Sequence, residues 1–266
     1  MSDLFGGEKP MTETAAWLLA KPFLELVEEK LQLTELQVTG EPFHTFTSPT
    51  TGETTGTIRL FDGKGIDIAV LTTANTEHLD IWQMVIFTPP ESAVPHLSFE
   101  GSGNPGGSWL SVDLVPRATC LEEIDWTRYV YEPLSDAVWA LHERTDLQQA
   151  LIRARHRMRL SPWLVTVKLE AETAVQPASD IVQLYAARFC QLLENGIPEQ
   201  FLPSLSPDEL AVRDARERSH LYSWESTWNY RHLALLGGPD APTVVQQTLI
   251  NPRQMYSRAL VGVARA

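Results

Sequence analysis

Between residues 79 and 114 apolar and polar positions alternate with a period of two, and the polar ones fall where a sheet would bury them. From Ile81 to Phe87 the run is apolar except for Gln83, an amide that must find partners inside a sheet or face a cavity. In the next strand Leu97 and Phe99 share one face, and His96, Ser98 and Glu100 the other. After a turn from Gly101 to Gly107, Leu110, Val112 and Leu114 oppose Trp109, Ser111 and Asp113. The polar positions of three strands thus form a row that can line a pocket.

The same patterning predicts strands at 42–48, 55–61, 66–72, 79–87, 96–100 and 108–114, joined by turns of hairpin length, hence an antiparallel sheet. Residues 12–33 read as an amphipathic helix containing Pro22. Ser135 is expected to cap a helix to about 157, Ser161-Pro162 to start a strand to about 170, and Ser179 to cap a helix stopped by Gly196 and Pro198. Ser206-Pro207-Asp208-Glu209 combines a serine cap, proline at the first helical position and glutamate at the third, so a helix starts there and runs towards Gly237-Gly238. A last helix spans Pro242 to about 263. Strands first and helices mostly last make an α+β chain whose antiparallel sheet is covered on both faces.

At 266 residues and 43% apolar, with no compositional break, the chain is expected to form one domain. Cys120 and Cys190 lack C-x-x-C spacing, which indicates neither a disulfide framework nor an iron–sulfur or zinc site and suits a reducing compartment. His44, His78, His96 and His142 are scattered without ligand spacing, so no metal is expected. No basic leader and no apolar run of the ~20 residues that span a bilayer is present, so a cytoplasmic location is expected. A net charge of −13 disfavours nucleic acid. Against that background RARHRMR, with Arg153, Arg155, Arg157 and Arg159, is either the solvated end of a helix or a docking patch for an acidic partner. The glycine-rich 101–107 stretch leads into a strand rather than a helix, so it reads as a hairpin connection, and no flavin or nicotinamide site is evident elsewhere.

In its order of elements the stretch from Trp82 to Arg117 resembles the ferredoxin-dependent bilin reductase superfamily. A strand ends in Phe87, a proline-containing turn follows from Pro89 to Pro95, a short strand ends in the acid Glu100, and Pro105-Gly106-Gly107 leads to Asp113-Leu114. Within that superfamily it looks most similar to red chlorophyll catabolite reductase, through Pro95-His96 with Glu100, Asp113 to Arg117, and Leu160-Ser161-Pro162 leading into 164–168. The resemblance covers about a third of the chain. It implies an α/β/α sandwich with helices on both faces of a central antiparallel sheet, no bound redox cofactor, electrons from reduced ferredoxin and a linear tetrapyrrole as ligand. A homodimer is one assembly the sequence allows.

A carboxyl on a partly apolar sheet face has its charged form disfavoured and can hold a proton near neutral pH, although a salt-bridged edge residue would fit the pattern too. The resemblance makes Glu100 the proton donor. Gln83 stands where some bilin reductases place histidine; an amide cannot relay protons but can hydrogen-bond a lactam oxygen or pyrrole N–H, or it is a satisfied core amide. His96, Ser98, Ser111 and Asp113 complete the expected substrate-binding row. The relative also uses a late aspartate, and the corresponding Glu225-Ser226-Thr227-Trp228-Asn229 has none, leaving Glu225 or Asn229 to stand in. Trp224 and Trp228 are core or walls for a flat ligand. The expected activity is ferredoxin-dependent reduction of a linear tetrapyrrole, with a non-catalytic bilin carrier as the alternative.

Overall fold

A computed structural model describes residues 15–76, 79–104, 107–149, 157, 160–169, 174–221 and 230–264. Its sheet contains β1 (Thr34–Glu35), β2 (His44–Thr47), β3 (Thr54–Asp62), β4 (Ile68–Thr76), β5 (Leu79–Phe87), β6 (His96–Asn104), β7 (Gly107–Val115), β8 (Leu147–Gln149) and β9 (Val165–Leu169). The order is β1-β3-β4-β5-β6-β7-β9-β8, every pairing is antiparallel, and β2 shares the outer edge of β3 with β1. The run from β3 to β7 is a meander, as expected from the short Gly-, Pro- and Asn-rich turns that join strands of matching alternation.

One face is covered by α1 (Ala15–Leu31), α2 (Ile124–Tyr131), α3 (Ser135–His142) and α4 (Val175–Asn195). Phe23, Leu24 and Val27 of α1 and Ile181, Tyr185 and Phe189 of α4 are buried with Leu71, Trp82, Met84, Leu97, Phe99, Leu110 and Val112 from the sheet. Phe23 stacks on Phe99 at 4.8 Å. The other face packs Ile58, Leu60, Ile68, Val70, Ile81, Val85 and Phe87 under Leu233 of α6 (Tyr230–Gly237) and Val245 and Leu249 of α7 (Ala241–Ile250). Two further helices, α5 (Pro207–Leu221) and α8 (Pro252–Ala264), complete this side. The arrangement is the expected α+β sandwich with helices on both faces of an antiparallel sheet.

At the start of α5 the expected capping box is present. The Ser206 backbone N–H donates to Glu209 Oε2 at 2.8 Å, and the Glu209 N–H donates to Ser206 Oγ at 3.3 Å. Other helix expectations are corrected. The helix from Ser135 stops at His142: Arg144 binds Asp146 through Nε–Oδ1 and Nη2–Oδ2 at 2.9 and 2.7 Å, and the chain turns so that Leu147 is buried and β8 pairs with β9. Ser135 is no cap, because the 3₁₀ turn Glu132–Leu134 leads directly into α3, and its Oγ accepts from Trp163 Nε1 at 2.8 Å. Ser179 lies inside α4, which begins at Val175, and the last helix is two, broken at Asn251 before Pro252.

Candidate functional site

Because β4, β5, β6, β7 and β9 are neighbours in register, each contributes one polar residue to a row across the sheet. Thr72 faces Gln83, Gln83 faces Glu100, Glu100 faces Ser111, and Ser111 faces Thr166. All lie on the face of Val70, Val85 and Phe87, opposite the α1 and α4 layer. Gln83 Nε2 donates to Glu100 Oε1 at 3.4 Å, and the hydroxyls of Ser111 and Thr166 lie 3.1 Å apart. Thr72 and Gln83 are buried; Ser98, Glu100 and Ser111 are half-buried. Trp109 and Lys168, paired in register two residues along their strands, are also half-buried. The apolar cluster on this face takes its sheet residues from β2 to β5 and, beyond them, only Val115. Among the described residues, then, the half of this face formed by β6, β7 and β9 is polar and partly accessible, with the Glu100 carboxyl in it and the Gln83 amide at its border on β5.

His96, at the start of β6, shares this face but is occupied elsewhere. The Thr88 backbone N–H donates to its Nδ1 at 3.0 Å, which puts the ring proton on Nε2, and Nε2–H donates to Asp214 Oδ1 on α5 at 2.7 Å. Arg117 Nη1 donates to the same Asp214 oxygen, which is why it lies 2.9 Å from the ring nitrogen although both are donors. Burial, reinforced by the nearby Arg117 guanidinium, lowers the His96 pKa to about 3, so the ring is neutral. Burial of Asp214 works in the opposite sense, but the His96 hydrogen bond and the charges of Arg117 and Arg218 outweigh it and hold its carboxyl well below the usual range. Arg218 binds Asp214 at 2.8 Å and lies 4.0 Å from the centroid of the Phe87 ring. Both nitrogens of His96 are thus committed to protein partners, which gives it a part in fastening α5 to the end of the sheet in place of the expected contact with substrate.

Asp113 is buried and faces Ser98 in register. Its oxygens accept from the Ser161 backbone N–H, at 2.9 Å, and from Ser161 Oγ. Burial raises its pKa to about 7 against the lowering effect of those bonds and of the Leu114 N–H. This carboxyl ties the entry of β9 to β7.

The structure brings Gln83, Ser98, Glu100, Ser111 and Asp113 onto one face and places His96 at its end, within the charged cluster. Trp224, Glu225, Trp228 and Asn229 lie outside the described residues, as do Arg153, Arg155 and Arg159; Arg157 is exposed. Sequence reasoning passed over Lys168 and the Asp214–Arg218 pair. The pair's i,i+4 spacing on α5 was a usable signal, but its link to His96 across 118 positions was not. Both cysteines are free, with burial pushing their thiols up to about 11. Among the described residues no group of His, Cys, Asp or Glu side chains is arranged to hold a metal ion, and no helix is long and apolar enough to cross a membrane.

No protein-family model matches the sequence, and no curated protein sequence matches it. The fold is similar to that of phytochromobilin synthase from tomato, crystallised in complex with biliverdin, with a TM-score of 0.68 over 90% of this chain and 83% of that one. At 13% identity the likeness is one of fold.

Proposed function

We propose that this chain reduces a linear tetrapyrrole with electrons from reduced ferredoxin, holding no redox cofactor of its own. The observation that carries the reading is the Gln83–Glu100 pair, half-open at the centre of the polar face. The fold supports it, being that of a bilin reductase known in complex with biliverdin. Reduction adds two electrons and two protons across one double bond of the conjugated ligand. Ferredoxin supplies the electrons singly. The protein's part is to hold the ligand flat against the sheet, exclude bulk water and deliver one proton to each end of the reduced double bond, and Glu100 is the acid placed to do so. Gln83 donates to Glu100, and beside a ligand its amide can turn to a lactam oxygen or pyrrole N–H.

Anaerobic incubation with ferredoxin, its reductase and a panel of linear tetrapyrroles, including biliverdin and opened chlorophyll catabolites, tests the reading by absorbance. New reduced products are expected. A spectral shift without turnover would select the carrier reading instead, which is favoured by an amide standing at position 83, where some bilin reductases have a proton-relaying imidazole.

A further inference from the structure

We propose that Asp113 is the proton reserve of this site, returning a proton to Glu100 across the hydroxyls of Ser98 and Ser111. The inference rests on the function proposed above. Glu100 faces Ser111 and Asp113 faces Ser98, so the two carboxyl residues are diagonal corners of a quadrilateral whose other corners are the serines. Diagonal neighbours on one face of an antiparallel pair stand ~7–8 Å apart at Cα, a gap that one hydroxyl or one water bridges. The need is chemical: each double bond reduced takes up two protons, and one carboxyl holds one.

Three observations fit a carboxyl that stores a proton. First, among the described residues the groups that act on Asp113 are the Ser161 N–H and hydroxyl and the Leu114 N–H, none of them a cation, and the titratable groups that sense it are Cys120, Tyr131 and Tyr185, all neutral when protonated. Second, burial sets its titration near neutrality, at about 7, where a group can be both loaded and unloaded. Third, the residue that bonds to Asp113 adjoins an exposed one in the chain. Ser161 Oγ accepts from the Trp163 N–H at 3.1 Å and can therefore either donate to Asp113 or accept from its protonated form, and Pro162, next in the chain, is exposed. In each transfer the Asp113 O–H bond breaks, a Glu100 oxygen gains the hydrogen, and Asp113 recovers a proton from water through Ser161; nothing is oxidised.

The test uses the full chain and compares wild type with Asp113→Asn, whose amide can accept from the Ser161 N–H and donate to Ser161 Oγ. Tetrapyrrole reduction by ferredoxin is followed across pH. Wild-type turnover is expected to fall above about pH 7, where Asp113 unloads. Asp113→Asn is expected to bind tetrapyrrole with the wild-type spectrum but turn over at least ~10-fold more slowly below that pH, with the limb near 7 absent. Ser161→Ala, which keeps the backbone bond to Asp113 and removes the reloading hydroxyl, should weaken turnover in the same direction and provides the readout if the first variant does not fold. If the wild type turns over and a folded variant shows its rate and pH profile unchanged, the reserve is refuted and the function stands. If the wild type reduces no tetrapyrrole, the function is refuted and the reserve with it.

Discussion

Two buried groups on one sheet face should impose opposite pH dependences on stability, and replacing each in turn separates them. Asp113 titrates at about 7 in the folded chain against 3.8 for the ordinary side chain. Between those values the native state binds the extra proton, so stability falls as pH rises. At ~1.36 kcal/mol per unit the loss reaches about 4 kcal/mol. His96 titrates at about 3 against 6.5. Between those values the unfolded chain binds the extra proton, so stability falls as pH falls, by up to about 5 kcal/mol. From about pH 4 to 6.5 the two contributions oppose each other in the wild type. Urea unfolding of Asp113→Asn and His96→Asn, each taken as variant minus wild type at every pH, removes the contribution of all other groups. For Asp113→Asn the difference should climb by about 4 kcal/mol between pH 3 and 8, a relative shift in urea midpoint above ~1 M for a chain of this size. For His96→Asn it should decline by about 4 kcal/mol between pH 3 and 6.5, on top of a constant cost for the bonds to Thr88 and Asp214. A flat profile for Asp113→Asn would place that carboxyl in the ordinary range and refute the claim that burial governs it.

Three further outcomes are expected. Glu100→Gln should keep tetrapyrrole binding, seen as an unchanged bound spectrum, while turnover drops by ~10²–10⁴-fold; unchanged product formation would remove Glu100 from the chemistry. Asp214→Asn leaves the buried Arg117 without its carboxylate and should cost ~3–5 kcal/mol, lowering the thermal midpoint by ~10 °C, whereas a change below ~1 kcal/mol would mean that the bonds of Arg117 to Pro90, Ser92 and Leu210 carbonyls suffice. Reversing Arg155 and Arg157 to Glu should slow reduction at subsaturating ferredoxin most at low salt, because screening shortens from ~30 Å at 0.01 M to ~10 Å at 0.1 M; wild-type rates there would place donor docking elsewhere.

The meander was legible because alternation and turn chemistry agree from β3 to β7, and the same alternation alone puts Gln83, Ser98, Glu100, Ser111 and Asp113 on one face. Two features were not legible. β1 and β8 are two- and three-residue edge pairings, which exist only because a neighbouring strand offers a ladder, so residues 147–149 read as a continuation of α3. His96 sits in the polar phase of β6 and so looks like a ligand contact. Its commitment to Asp214 depends on how α5 docks, and period-two patterning carries no information about that.

The charged cluster explains how a polar patch can persist at the centre of a large sheet. From the surface inward, Asp62 binds Arg253 of α8 at 2.6 Å, Arg253 binds Asp67 at 3.3 Å, Asp67 binds Arg218 of α5 at 3.3 Å, and Arg218 binds Asp214, which holds His96 and Arg117. This line fastens two helices to the ends of β3, β4, β5 and β6, while α6 and α7 pack apolar side chains over β2 to β5. Among the described residues the second layer is therefore anchored at one end and along the β2–β5 half, where its apolar packing lies. That arrangement has a thermodynamic signature in Asp113. A carboxyl whose ionisation is opposed by about 4 kcal/mol lowers stability at neutral pH, and an asparagine, which keeps an acceptor for the Ser161 N–H, would remove the penalty. Rigid central strands hold Glu100 and Gln83 in register, and rigid strands are where a proton donor is positioned most accurately. Stability held by the frame and surrendered at the patch is the distribution expected when the patch serves a ligand and not the core.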